Sequence, residues 1–288
     1  MSLRSYNFKV KPSDDGKTLK TFLRKQIGLS ARSMTVLKYS GMGIKRLGKE
    51  IRAHDIVRAG DVIDISLPVD VNDAIPIEGV LDILFEDDRL LIVNKPSGMP
   101  VHPVKVHQLD TLANIVAYYQ RERGESYTFR ALNRLDKDTS GCVIIAKDRI
   151  AYSLVLPTVE KLYVAVCEGI ISEGGVIDKP ISLEQGSVIK RCADNDGDRA
   201  VTHYEPIKYG NGHTLCEIWL ETGRTHQIRC HMSSIGRPLA GDDMYGGSLD
   251  IIQRQALHCK SVSLMHPDSG ETITVDTSIP EDMIDIIE

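Results

Sequence analysis

Two strand-like runs, residues 203–209 and 213–221, flank Gly210-Asn211-Gly212. An Asn-Gly pair between β-prone runs is a strong hairpin signal, because a tight two-residue turn needs left-handed backbone that Asn and Gly tolerate. Such a hairpin makes its arms antiparallel neighbours in a sheet. The pattern recurs in residues 82–86 and 89–94 around Asp87-Asp88, and in 257–265 and 272–276 across HPDSGE. Segments 142–147, 161–167 and 176–181 read as further strands. Helical periodicity is sparse. It occurs from Asp110-Thr111 through Gln120, ending near Gly124, and over 225–235, where Ile228, Met232 and Ile235 share a face before Gly236. Many hairpins and few interleaved helices predict an α+β fold with a mixed, mainly antiparallel sheet flanked by helices.

The first 68 residues read as a separate small α+β unit. A helix is predicted over 18–26, with Leu19, Phe22, Leu23 and Ile27 at helical spacing. Ser30 can cap a second helix over 31–39, and Gly41 can stop it. Strand-like pieces follow at 44–47 and 61–67, the first turning at Gly48-Lys49. Pro68 and residues 69–79 read as a linker, and 80–288 as the second domain. The acidic end, 281–288, reads as solvated.

Charge divides at the same place. Residues 1–68 hold 14 Lys/Arg and 6 Asp/Glu, a net of +8; the other 220 hold 21 and 34, a net of −13. A basic unit on an acidic body suits a polyanionic partner such as RNA. No apolar run approaches the roughly 20 residues of a membrane span, and MSLRSYNFKV lacks the apolar core of a signal peptide. The six cysteines are scattered without a C-x-x-C pair, and His226 and His231 lack a metal-binding pattern. The expectation is a cytoplasmic monomer with no metal, no cofactor and no membrane partner.

Three segments carry residues suited to chemistry. In residues 130–147, Asp136 sits in a polar loop two residues after Arg134, and Thr139-Ser140-Gly141 leads into an apolar strand. A carboxylate held between a loop and a buried strand can act as a base or nucleophile. In residues 220–247, Thr225 can cap a helix with Arg224, His226 and Arg229 at its mouth, a setting for an anion. In the strand at 161–167, alternation puts Tyr163 opposite Leu162, Val164 and Val166, where it can stack on a base or pack in the core.

Taken together, these motifs resemble the RluA-type RNA pseudouridine synthases that carry an N-terminal S4 domain. The markers are Asn94-Lys95-Pro96-x-Gly98, Arg134-Leu135-Asp136-x-x-Thr139-Ser140-Gly141, Lys161-x-Tyr163, Thr222-Gly223-Arg224-Thr225-His226-Gln227-Ile228-Arg229, Pro238-Leu239-x-Gly241-Asp242-x-x-Tyr245-Gly246, Leu257-His258 and His266-Pro267. Asn133 departs from the family, which has His there, and Cys259 replaces a usual Ala. The N-terminal unit resembles the S4-type RNA-binding domain through Leu19, Phe22-Leu23, Ser30-Ala31-Arg32, Gly41-Met42-Gly43-Ile44 and Gly60-Asp61-x-Ile63. Its departure is Lys45-Arg46-Leu47-Gly48, where the family has an Asn-Gly turn.

The resemblance implies an isomerase, an intramolecular transferase that detaches uracil from ribose C1′ and rejoins it through C5. Asp136 would be the catalytic carboxylate, attacking C1′ or removing the C2′ proton. Arg224 would pair with it, and Tyr163 would stack on the uracil and assist proton loss from C5. Arg134 would fill the space left by a flipped nucleotide. Lys95, Thr139, His226 and Arg229 would contact the substrate, and Arg24, Lys25, Arg32, Lys38, Lys45 and Arg46 would bind phosphates. Large-subunit ribosomal RNA is the first expectation and transfer RNA the second. A non-catalytic S4-type ribosomal RNA-binding protein is a third reading, which the presence of Asp136, Arg224 and Tyr163 disfavours. A glycosidase reading lacks a second well-placed carboxylate.

Overall fold

The computed structural model describes residues 4–39, 43–68 and 70–288. The N-terminal unit runs β1 (Ser5–Lys9), α1 (Leu19–Gln26), α2 (Ala31–Tyr39), β2 (Ile44–Arg46), β3 (Lys49–Glu50) and β4 (Val62–Ser66), and its strands lie in the order β1-β4-β2-β3. Thr18 starts α1 by accepting the Thr21 amide at 3.3 Å, and Ser30 starts α2 by accepting that of Ser33 at 3.1 Å. The helix stop expected at Gly41 lies outside the described residues. Leu19, Phe22 and Leu23 of α1 are buried with Leu37 of α2 and Ile63 and Ile65 of β4. β1 was not expected, because five residues show too few alternations to read. It pairs antiparallel with β4, Tyr6 facing Ile65. The β2–β3 turn places Leu47 at φ 51° and Gly48 at φ 74°, the left-handed pair of a tight hairpin.

The second unit contains β5 (Asp82–Glu86), β6 (Leu90–Lys95), α3 (Leu112–Glu122), β7 (Ser140–Ala146), α4 (Arg149–Val155), β8 (Glu160–Glu168), β9 (Gly175–Asp178), β10 (Ile181–Leu183), β11 (Arg191–Ala193), β12 (Val201–Gly210), β13 (His213–Leu220), α5 (Gln227–Ser234), β14 (Leu257–Met265), β15 (Thr272–Asp276) and α6 (Glu281–Ile284). Its large sheet runs β5-β6-β7-β14-β8-β13-β12-β9, with β15 also paired to β14. The β7–β14 pairing is parallel and short, His258 opposite Ser140 and Cys259 opposite Gly141; the other strand pairs are antiparallel. This is the mixed, mainly antiparallel α+β architecture expected. Gly141, at φ 112°, is obligatory, because a Cβ there would strike the Cys259 backbone.

β8 separates two cores by strict alternation: Tyr163, Ala165 and Cys167 join one, Val164 and Val166 the other. The second core also takes Met283, Ile286 and Ile287, so the acidic C-terminal end is not solvated as expected. Its charges mask an apolar spacing of three and four residues that packs under the sheet. The segment expected as one strand over 176–181 is two, β9 and β10, divided at Lys179-Pro180, since proline cannot donate to a ladder.

The two units share buried surface. Ile150 of α4 is fully buried within the N-terminal core, and Leu154 packs beside it. Tyr6 donates to Asp148 at 2.8 Å, and the Arg89 guanidinium lies 3.9 Å from the centre of the Tyr6 ring. The segment expected as a linker is held along the second unit: Asp70 receives Arg130 at 2.5 Å and Arg149 at 2.8 Å, and Asn114 donates to the Ile75 carbonyl at 2.8 Å. Val69 lies outside the described residues. Among the described residues, no helix is long and apolar enough to cross a membrane.

Candidate active site

Asp136 lies in the loop entering β7, and that loop is held from every side. Asn133 acts as a strand partner, donating to the Cys142 carbonyl at 2.8 Å and accepting the Ile144 amide at 2.9 Å. A buried carboxamide offers both functions at once, which accounts for Asn at this position. The Thr139 amide closes a turn onto the Asp136 carbonyl at 3.2 Å. From β14 and the residues before it, Gln255 donates to the Thr139 hydroxyl at 3.2 Å, and His258 Nδ1 meets the Ser140 hydroxyl at 2.8 Å. Ser97 donates to the Asp138 carbonyl at 2.9 Å.

Lys95 completes this clamp. Its ammonium is fully buried and donates to the carbonyls of Pro96 (2.8 Å), Met99 (2.8 Å) and Lys137 (3.0 Å). Burial pushes its pKa down to about 7, against the opposing pull of Asp138 and Asp136. Lys95 was expected to contact RNA; the structure instead uses it to tie two loops together, because its three donors match three inward carbonyls. Thr139, expected to contact the substrate, is likewise buried, with its hydroxyl engaged by Gln255.

The partner of Asp136 also differs from expectation. Arg229 Nη1 approaches the carboxylate at 3.2 Å, and the same guanidinium binds Asp242 through Nε at 2.7 Å and Nη2 at 2.8 Å. Burial disfavours the Arg229 charge, but Asp242 and then Asp136 more than offset it and raise its pKa. Arg224 is exposed; it pairs with Asp198 at 3.3 Å and donates to the Arg199 carbonyl at 3.1 Å. The reason is where the helix begins. His226, at φ 55°, is the left-handed N-cap of α5, so residues 224 and 225 lie in the preceding turn while Arg229 points back to the loop. Thr225 makes no cap, contrary to expectation.

His226 stands at the site, with Nε2 at 3.8 Å from Asp136 and Nδ1 at 3.0 Å from the Tyr245 hydroxyl. Burial lowers its pKa, with Asp136 acting in the opposite sense. Tyr163 is 6% exposed, and burial first, with nearby Cys259 and Asp136, pushes its phenol well above the ordinary value. Arg134 is exposed and has no carboxylate partner among the described residues.

In the N-terminal unit, Arg24, Lys25 and Lys45 are exposed. Arg46 is not a free cation: it binds Asp61 at 2.7 Å and the Ile56 carbonyl at 2.9 Å. The side chains of Arg32 and Lys38 lie outside the described residues. Sequence reasoning missed Asp242, Tyr245, Gln255 and His258 as parts of the site. Three of these stood in recognised motifs, but their spacing alone pointed only to tight turns and a strand.

The family model described as RNA pseudouridylate synthase matches residues 89–234. An uncharacterized RNA pseudouridine synthase, YhcT of Bacillus subtilis (strain 168), is 40% identical over 79% of this chain and 78% of its own. The ribosomal large subunit pseudouridine synthase D of Xanthomonas campestris pv. campestris is 34% identical over 82% of this chain and 77% of its own. Among solved structures, human RNA pseudouridylate synthase domain containing 1 superposes with a TM-score of 0.57 at 26% identity, covering 69% of this chain and 83% of that one.

Proposed function

The chain belongs to the RNA pseudouridylate synthase family, and from that premise we propose that it isomerises uridine in large-subunit ribosomal RNA, with Asp136 as its catalytic carboxylate. It is an RNA pseudouridine synthase; the choice of RNA and the residue roles are the parts proposed. The observation that carries the assignment of Asp136 is its setting: a carboxylate on a clamped loop, 3.2 Å from a buried arginine, with its charge bearing on a buried tyrosine. Clamping fixes the reactive oxygens before substrate arrives, which lowers the cost of reaching the transition state.

The reaction breaks the N1–C1′ bond, turns the uracil, forms the C5–C1′ bond, loses the C5 proton and gains one at N1. It is a net isomerisation that needs no oxidant or reductant. Asp136 opens it, by attack on C1′ or by proton removal at C2′. Arg229, rather than Arg224, holds the carboxylate in place. Tyr163 supports the detached base with its ring. Arg134 fills the gap left by the flipped nucleotide, and the S4-like N-terminal unit attracts the RNA backbone through Arg24, Lys25 and Lys45.

Large-subunit ribosomal RNA is favoured because several relatives that share most of the chain carry that substrate in their names. Pseudouridines mapped across all RNA of a strain lacking this protein test the choice. A missing modification in large-subunit RNA is the expected result, and one missing only from transfer RNA overturns it. Asp136→Asn keeps the side-chain shape and discards the charge. It should lower tritium release from 5-tritiated uridine RNA by on the order of 1000-fold or more while RNA binding persists. Turnover within tenfold of wild type refutes the role of Asp136.

A further inference from the structure

β10 and β11 form a two-stranded hairpin apart from the large sheet, seated on α5. Its base is fixed by apolar contact among Ile181, Ala200, Cys230 and Tyr245. Arg191, the first residue of β11, donates its backbone N–H to the Tyr245 hydroxyl at 2.9 Å, and that hydroxyl meets His226 Nδ1 at 3.0 Å. Tyr245 accepts from Arg191, and the other nitrogen of the imidazole it meets, Nε2, faces Asp136 at 3.8 Å. Arg191 is therefore two hydrogen bonds from the ring that borders the catalytic carboxylate. Its charge is felt there, being one of the influences that lower the His226 pKa.

The side chain of Arg191 is unlike its neighbours. Arg229 is bound by two carboxylates, Arg224 by Asp198, Arg199 by Glu221 and Lys190 by Glu184. Arg191 has no carboxylate partner among the described residues, and its Nε is buried without a hydrogen bond. A guanidinium with no carboxylate partner, on a residue whose backbone is two hydrogen bonds from the ring that borders Asp136, is placed to take an anion from the substrate. The unit around the site is net acidic by 13 charges, so the phosphates of an RNA strand entering it need cations that are not already neutralised.

We propose that Arg191 binds a backbone phosphate adjacent to the uridine presented to Asp136, making the β10–β11 hairpin a phosphate-reading arm of the active site. This rests on the synthase reading above. The arm holds the strand, and the carboxylate loop performs the chemistry.

The test uses the full-length protein and whichever RNA fraction, ribosomal or transfer, the wild type turns over. Arg191→Met removes the charge at similar length, and Arg191→Lys keeps it. Arg191→Met should raise KM about tenfold and change kcat less. In an Asp136→Asn background it should make the log–log salt dependence of RNA binding shallower by roughly 0.7, the contribution of one single-strand phosphate contact. Arg191→Lys should restore the slope. An unchanged slope and KM overturn the proposal, as does a fall in melting temperature and kcat with the slope unchanged, which makes Arg191 a brace for the hairpin. If the wild type releases no tritium from any RNA, the synthase reading itself fails, a result separate from every outcome for the variants.

Discussion

The two units carry opposite charge and use their cations oppositely. In the N-terminal unit, with a net of +8, Arg24, Lys25 and Lys45 stand exposed to solvent. Around Asp136, in a unit of net −13, two cations are buried and committed, Arg229 to two carboxylates and Lys95 to three carbonyls. Exposed charge acts at a distance and is screened by salt, whereas buried paired charge fixes geometry. One unit leaves cations open to solvent and the other uses them to hold a loop still.

The largest effect should come from breaking the buried pairing. Arg229→Met leaves Asp242, which has no exposed side-chain surface, as a buried charge without its partner. The expected cost is about 3–5 kcal/mol of stability and at least a hundredfold in turnover. Arg224→Met removes only exposed contacts and should stay within about threefold of wild type. Melting curves and tritium release on both variants settle which arginine serves Asp136; equal losses contradict the geometry.

Removing the N-terminal unit should come next. A chain starting near Ile75 should bind RNA with a much shallower salt slope. The shared core adds a second consequence, because Ile150 and Leu154 become exposed. At about 1.5–3 kcal/mol per large apolar side chain, the melting temperature should fall by roughly 5–15 °C. A shallower slope with no loss of stability indicates that the units do not share a core in solution.

Lys95 gives a smaller, pH-dependent effect. Its folded pKa of about 7 lies below the ordinary 10.5, so between these values the unfolded chain holds a proton that the folded chain lacks. Stability from this group therefore rises as pH goes from about 7 to 10.5, and is flat below. Lys95→Met should remove that rise, as followed by urea denaturation at pH 7 and pH 9.5. A rise that persists unchanged in the variant assigns it to another group.

The smallest effect concerns the basic unit alone. Leu47 sits at φ 51° in the β2–β3 turn, where a branched side chain is strained and Asn is tolerated. Leu47→Asn should stabilise the protein by roughly 1 kcal/mol without changing turnover, a gain of a few degrees in melting temperature.

What the sequence determined by itself follows from local physics. The turn at Asn211-Gly212 forms as its residues demand, with φ of 48° and 77°, and so fixes β12 and β13 as neighbours. Thr18 and Ser30 cap their helices because the cap is made by a residue within three positions. Asp136 stood out because a polar loop ran directly into an apolar strand. Short or interrupted elements were illegible: β1 has five residues, β11 three, and α6 lies in a segment whose acids hide its buried Met283.

The tertiary structure decided the partnerships. Arg224 and Arg229 are both plausible from the motif, and the left-handed backbone at His226 selects Arg229 by delaying the start of α5. Lys95 and Lys137 are 42 positions apart, and Ser140 and His258 118 apart, so only the fold reveals that they touch. Composition marks a lysine as charged and suited to phosphate; burial among carbonyls makes it a tie. Local backbone preference is written in neighbouring residues, but the environment of a side chain depends on segments that folding brings from far along the chain, and that environment sets what its charge can do.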